Sequence, residues 1–191
     1  MKIAQWVTFG LIATLGMSAS AEAEEARPYW GFQLTYTDYQ GDLTGSGLGF
    51  GILGGYKSGG RLSIPLQLAY GPNSTYIVNP GLDYIFWKPG PIETYIHGGY
   101  GWYATEVKFS FGDVKMRGSG PDVGLGADLV QNPGATIGMG VVCRFVRYTQ
   151  ADDSRVQNDI NGRQIDVYIR WKIFFDSRTR SSESGTTKSS E

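Results

Sequence analysis

The chain has 191 residues, of which 28 are glycine, 14% are aromatic and 18% are charged. Its 17 Lys and Arg residues balance its 18 Asp and Glu residues, which leaves a formal net charge of -1. The length is that of about one domain. The charge balance argues against a nucleic-acid-binding protein, the aromatic content argues against a disordered chain, and the single cysteine excludes a disulfide scaffold.

The first 23 residues have the layout of a secretory signal peptide. Lys2 supplies the positive charge, the segment 3–17 is mainly apolar, and small residues with an A-x-A spacing follow. The apolar run of about 15 residues is shorter than the ~20 that a membrane-spanning helix needs. We therefore expect residues 1–23 to be removed after Sec-type export.

Eight segments of the remaining chain alternate apolar and polar residues with a period of two, which predicts β-strands with one apolar face. In chain order these segments are 30–38, 47–56, 61–70, 75–86, 92–103, 121–130, 135–148 and 164–175. They are longer than the five or six residues common in globular proteins. A strand that crosses a bilayer at a tilt needs about 9–11 residues, so the lengths favour a membrane barrel.

The connections between these segments differ in length on the two sides of the predicted sheet. Short turns rich in Gly, Pro and Asn are predicted at 57–60, 87–91 and 131–134, and longer polar loops at 39–46, 104–120 and 149–163, with 71–74 as a short exception. Short turns at one end and longer loops at the other are typical of outer-membrane barrels.

Prolines interrupt two of the predicted strands, at Pro65 and Pro80. Each proline removes a hydrogen bond from the sheet. Asn79-Pro80-Gly81 resembles a turn, but splitting the fourth strand there would leave halves too short to span and an odd strand count. We expect a bulge or kink at that point instead.

The polar face of the strands carries balanced charges and many glycines. Its members form the predicted lumen polar network: Arg61, Asp83, Glu93, His97, Asp128, Arg144, Asp166, Arg170 and Lys172. Ion pairs of this kind suit the interior of an eight-stranded barrel, which is just wide enough for side chains. Aromatic residues cluster near the predicted strand ends, as in the girdles of membrane barrels. The alternative is a soluble, lipocalin-like barrel whose apolar face points inward.

The last predicted strand ends in Ile169-Arg170-Trp171-Lys172-Ile173-Phe174-Phe175. With the strand count and the turn pattern, it resembles the small eight-stranded outer-membrane barrels of Gram-negative bacteria, the OmpA-type transmembrane domain and OmpX among them. The resemblance implies an all-β, antiparallel, up-and-down transmembrane barrel over 24–175, and a last strand read by the barrel-assembly machinery. Family members usually end at this Phe, whereas here a polar tail, 176–191, follows and is expected to be disordered.

The expected function is that of a non-enzymatic, porin-like protein of the cell outer membrane that supports envelope integrity or surface interaction, with at most a narrow pore. Its expected partners are outer-membrane lipids and lipopolysaccharide, with no nucleic acid, and we expect a monomer. Lipid A deacylases, which are small outer-membrane barrels with a Ser–His–acid site, are the rival enzyme class. Their His and Ser lie two residues apart, whereas the residue two positions after His97 is Gly99, so the resemblance does not extend to their site. No cofactor or metal is expected, since one His and one Cys do not supply the ligands of a metal site. A soluble small-molecule binder is the second alternative.

Overall fold

The structure, a computed structural model, describes residues 26–41, 43, 45–109, 112–132, 134–153 and 160–175. It contains eight antiparallel strands: β1 (Arg27–Gly41), β2 (Gly45–Lys57), β3 (Leu62–Gly71), β4 (Thr75–Trp87), β5 (Ile92–Phe109), β6 (Gly112–Asn132), β7 (Ala135–Ala151) and β8 (Ile160–Phe174). Each strand pairs with the next along the chain, and β1 pairs with β8 to close the barrel. The predicted up-and-down fold of eight strands is confirmed.

The barrel has two distinct ends. At the turn end, β1 begins, β8 ends, and residues 58–61, 88–91 and 133–134 connect neighbouring strands. At the loop end, the connections are 42–44, 72–74, 110–111 and 152–159. The predicted signal peptide, 1–23, and the predicted tail, 176–191, lie outside the described residues.

The strands at the loop end are longer than predicted. The segment 104–120, expected as a loop, continues β5 to Phe109 and β6 from Gly112, and these two strands pair along their whole length. The expected loops 39–46 and 149–163 are likewise shortened by the strands that flank them. The prediction was wrong there because the apolar positions change sides: Val107, Val114 and Met116 point inward, whereas the apolar residues of the wall point outward.

β4 runs without a break through Asn79-Pro80-Gly81. The pairs Ser63 with Asp83 and Leu66 with Pro80 keep one register, so no extra residue is inserted between them. Of the expected bulge or kink, the structure thus shows no bulge at this point, and the register shift of β4 lies nearer the turn end, between Ile85 and Trp87 against β5. Pro80 costs the sheet a hydrogen bond but does not divide the strand.

The apolar side chains of the wall point away from the barrel axis. Leu66 is 46% exposed, Val167 51% and Ile169 42%, although each lies in the middle of a paired strand. A soluble, lipocalin-like barrel would bury these residues, so that alternative is wrong. A β-barrel with an outward apolar band and a polar interior is the arrangement that spans an outer membrane.

A cluster of buried apolar side chains lies at the loop end of the interior. We call this group the apolar cap; its buried members are Leu43, Ile77, Tyr103, Val114, Met116, Val146 and Tyr148. Val107, Ala151 and Ile160 pack against it. The inner face of the long β5–β6 hairpin thus supplies Tyr103, Val114 and Met116 to the apolar cap.

Candidate functional site

A cluster of ion pairs fills the interior between the apolar cap and the turn end. Arg170 and Lys172 lie two residues apart on β8, so both point inward. The Arg170 guanidinium donates to Asp128 on β6, with Nε at 3.0 Å from Oδ1 and Nη2 at 3.0 Å from Oδ2. Its Nη2 also lies 3.2 Å from Asp83 Oδ2 on β4, and Lys172 Nζ donates to Asp128 Oδ2 at 2.8 Å. The cluster therefore ties together strands that are not neighbours in the sheet.

His97 joins this cluster to a second one. It is the ladder partner of Asp83, and its Nδ1 lies 2.7 Å from Asp83 Oδ1. Its Nε2 lies 3.0 Å from Asp122 Oδ1 on β6. A ring with both nitrogens facing carboxylate oxygens is best satisfied as a doubly protonated imidazolium. The ring uses the space left by Gly81, where a Cβ atom would come within 2.4 Å of His97 Cε1.

The second cluster is centred on Arg144, which is 1% exposed. Its Nε donates to Asp166 Oδ2 at 2.6 Å, and its Nη2 donates to Gln67 Oε1 at 3.1 Å. Its Nη1 lies 3.6 Å from Asp122 Oδ2. Charges buried this deeply are tolerated only when they are paired and hydrogen-bonded, so the cluster fixes the positions of four strands.

A smaller ionic group lies at the turn end. Glu93 on β5 is buried, and its carboxylate contacts Lys57 at the end of β2 and Lys88 in the β4–β5 turn, the latter at 3.1 Å. These residues line a cavity that opens at the turn end of the barrel. The ionic interior thus extends to this mouth of the barrel.

Two tyrosines fill the space over two glycines. Tyr95, Gly126, Gly140 and Tyr168 occupy one row across β5, β6, β7 and β8, each paired with the next. The two hydroxyl groups meet over the glycines with an oxygen–oxygen distance of 2.7 Å. A Cβ atom on Gly126 would lie 2.2 Å from the Tyr95 hydroxyl oxygen, and one on Gly140 would lie 2.5 Å from that of Tyr168. The glycines are therefore required by the packing of the rings.

The structure brings eight of the nine predicted network residues together in the interior and leaves one outside. Arg61 is exposed in the bend before β3, and its carbonyl accepts a hydrogen bond from the Ile85 amide. Its expected place in the lumen network is wrong, because β3 begins one residue later, at Leu62, and the alternation does not extend into the bend. Sequence reasoning missed Lys57, Gln67 and Asp122; Asp122 has the same parity as Asp128 on β6, which is the signal that identifies it.

No helix in the described part of the chain is long and apolar enough to cross a membrane. Among the same residues, no group of three or more His, Cys, Asp and Glu side chains is arranged to hold a metal ion.

A family of known proteins has the same architecture. The outer membrane protein beta-barrel domain family matches residues 7–172. The chain belongs to this family. Membership makes it a β-barrel protein of the bacterial outer membrane, and the outward apolar wall suits a membrane-spanning barrel. No curated protein matches the chain.

Solved structures of outer-membrane barrels share the fold. Neisserial surface protein A (NspA) is 15% identical with a TM-score of 0.63, and the match covers 80% of this chain and all of that one. The N-terminal barrel of Pseudomonas aeruginosa OprF is 10% identical with a TM-score of 0.58, covering 79% and 100%. Ail of Yersinia pestis is 12% identical with a TM-score of 0.50, covering 79% and 99%. At these identities the likeness shows the fold alone.

Proposed function

We propose that this outer-membrane barrel is a non-enzymatic envelope protein that supports membrane integrity or surface interaction and has at most a narrow pore. The observation that carries the proposal is the filling of the interior between the turn-end cavity and the loop end by ion-paired side chains and by the apolar cap. In this proposal the loop end faces the cell exterior, and the turn end faces the periplasm.

The ionic half of the interior leaves little room for a solute. The cavity bordered by His97, Arg144 and Arg170 has a volume of about 20 Å³, which holds about one water molecule. Moving the side chains that close it would separate buried ion pairs, and leaving one buried charge without its partner costs about 3–5 kcal/mol. A path through this level is therefore expected to open rarely.

The apolar cap supports the same conclusion from the other end. Val114, Met116 and Val146 are each at most 2% exposed, and they close the loop end of the barrel with apolar groups. Ions and polar nutrients that cross this level would lose hydration and would meet mainly apolar groups and the hydroxyls of Tyr39, Thr75 and Thr105, which already bond to one another. Free diffusion of nutrients is accordingly the weaker hypothesis.

The enzyme alternative gains no support from the only histidine. Both nitrogens of His97 face carboxylate oxygens in the interior, so neither is available to activate a nucleophile. The ring also lies inside the barrel, away from the wall that acyl chains contact. A lipid A-modifying activity is therefore not favoured.

Three partner proposals accompany this function. The outward apolar wall contacts outer-membrane lipids and lipopolysaccharide, and the last strand, which ends in aromatic residues, is presented to the barrel-assembly machinery. Closure of β1 on β8 leaves no strand edge open in the wall, which supports a monomer.

Conductance in a planar bilayer tests the proposal. The folded protein is added at increasing amounts, and an open porin added to the same bilayer serves as the positive control. We expect no steady current steps from this protein under conditions in which the porin gives them. Steady, discrete steps that scale with the amount of protein would contradict a closed interior.

A further inference from the structure

The cavity at the turn end of the barrel is large enough to hold a small molecule. It is bordered by Lys57 at the end of β2, Lys88 in the β4–β5 turn, Glu93 on β5, Thr136 on β7 and Phe174 on β8. Its volume is about 380 Å³, against about 20 Å³ for the space deeper in the ionic interior. Cavities that bind small molecules have volumes of about 300–1,000 Å³, so the turn-end cavity lies in their range.

The ionic group of this cavity carries a surplus of positive charge. Lys57 and Lys88 both contact the Glu93 carboxylate, Lys88 Nζ at 3.1 Å from Oε1. Two ammonium groups thus share one carboxylate, and the group as a whole is a monocation. Each ammonium group has three donor hydrogens, whereas a carboxylate accepts about four hydrogen bonds. Glu93 therefore cannot occupy every donor of the two lysines.

A buried hydroxyl group borders the same cavity. Thr136 is the ladder partner of Lys172, whose side chain lies in the interior, so Thr136 also faces inward. Thr136 is 4% exposed, and its Oγ1 has no hydrogen-bond partner among the residues that the structure describes. Buried polar atoms in proteins are nearly always hydrogen-bonded, so this hydroxyl indicates a partner from outside the chain.

A side-chain amide adds a further donor at the rim. Asn132, at the end of β6, borders the cavity, and its Oδ1 accepts a hydrogen bond from the Gly134 amide at 2.9 Å. Because that oxygen is occupied in this way, the amide nitrogen remains as the donor of the side chain. Lysine, threonine and asparagine side chains thus all offer hydrogens to the cavity, from three strands and one turn.

The charge and the donors of the cavity match one kind of ligand group. A carboxylate carries one negative charge, which neutralises the monocation, and its two oxygens accept about four hydrogen bonds. Glu93 is 3% exposed and lies against both lysines, so it offers little to a cationic ligand. Lysines that only needed solvation would not explain a buried hydroxyl without a partner beside them.

We propose that the turn-end cavity binds the carboxylate group of a small organic molecule. Lys57 and Lys88 supply the charge, the Thr136 hydroxyl and the Asn132 amide donate hydrogen bonds, and the apolar part of the ligand lies against Phe174. The proposal goes beyond the proposed function and does not depend on whether the interior conducts ions.

Fluorine NMR of the folded full chain in zwitterionic detergent tests this proposal. Three probes of similar size are titrated: 4-fluorobenzoate, its neutral analogue 4-fluorobenzamide, and 4-fluorophenyl phosphate. Empty micelles, measured in parallel, give the signal that arises from detergent alone. The variants are Lys88→Gln and Thr136→Val, and Arg61→Gln, which removes an exposed cation at the same end outside the cavity, is the matched control.

We expect 4-fluorobenzoate to bind the wild-type protein more tightly than either other probe. Lys88→Gln should weaken this binding about two- to fivefold, because the ammonium group is partly exposed. Thr136→Val, which keeps the shape of the side chain and removes the hydroxyl, should weaken it about three- to tenfold. Arg61→Gln should leave it unchanged. Thr136→Val should also leave the free energy of unfolding without ligand undiminished, since the hydroxyl has no partner to lose.

The comparison of probes uses the wild-type protein, so it decides the matter even if a variant does not fold. Binding of 4-fluorobenzoate no greater than that of the benzamide, or no greater than to empty micelles, would overturn the proposal. Tighter binding of the phosphate would overturn the assignment to a carboxylate. Unchanged affinity in both Lys88→Gln and Thr136→Val would overturn the location, and a loss of stability in ligand-free Thr136→Val would show that its hydroxyl bonds within the protein instead.

Discussion

Substitution of Gly126 by alanine tests the packing of the barrel interior. The new methyl group would lie 2.2 Å from the Tyr95 hydroxyl oxygen and 2.4 Å from Tyr95 Cζ. Tyr95 is 1% exposed, and the Arg170 guanidinium carbon lies 4.2 Å from its ring centroid, so the ring has no free space to enter. We expect it to shift and to break its hydrogen bond to Tyr168.

The expected loss of stability follows from these two contacts. Overpacking of a filled interior costs about 1–3 kcal/mol, and loss of the buried hydrogen bond adds about 0.5–1.5 kcal/mol. Gly126→Ala should therefore lower the free energy of unfolding by about 2–4 kcal/mol. Urea unfolding in lipid vesicles, followed by tryptophan fluorescence and by heat-modifiable migration, measures this change.

A control and a rescue make the test specific to the ring contact. Gly98→Ala adds the same methyl group at an outward position with no heavy atom within 4 Å, and should change stability by less than about 0.5 kcal/mol. Adding Tyr95→Leu to Gly126→Ala removes the clash, so the double variant should be more stable than the sum of the singles by about 1 kcal/mol or more. A Gly126→Ala protein as stable as wild type, or additive single effects, would refute the reasoning.

Three further changes probe the wall, the ion pairs and the apolar cap by the same unfolding assay. Ile169→Arg, at the middle of the outward apolar run, should cost about 2–4 kcal/mol in vesicles, and a neutral effect would contradict a lipid-facing position. Arg170→Met should cost about 3–5 kcal/mol because Asp128 loses its bidentate partner, and adding Asp128→Asn should restore part of it; no restoration would argue against this pairing. Met116→Ala should cost about 2–5 kcal/mol, and a change below about 0.5 kcal/mol would show that the cap is loosely packed.

The alternation of apolar and polar residues predicted the outward apolar wall but not where the strands end at the loop end. Inside the membrane, outward positions such as Val167 and Ile169 are apolar and inward positions such as Asp166 are polar, so a period of two gives both the strand and its orientation. Beyond Trp102 the outward side meets water and the inward side meets the apolar cap, so the apolar positions change parity. This inversion interrupts the period-two pattern of the wall. The segment 104–120 therefore resembles a polar loop in the sequence, although it belongs to β5 and β6.

Which side chains contact each other in the interior depends on how the sheet closes into a barrel. No local sequence pattern specifies that closure. Parity places Asp83, Asp128 and Arg170 on one face, but their contact requires β4, β6 and β8 to meet across the lumen. The row of two tyrosines and two glycines likewise requires the register of four strands. Arg61 shows a different limit of the sequence pattern. The alternation of polar and apolar residues begins at Arg61, one residue before β3 itself begins at Leu62.

The direction in which the wall faces is the central claim, and nitroxide accessibility measures it most directly. Cys143 is replaced by serine, and single cysteines at Leu66, Val141 and Ile169 are spin-labelled in the folded protein in vesicles. The account predicts labels that are accessible to oxygen and protected from a water-soluble nickel complex at all three positions. Labels that the nickel complex reaches as readily as a label in water would contradict the assignment of these strands to the membrane.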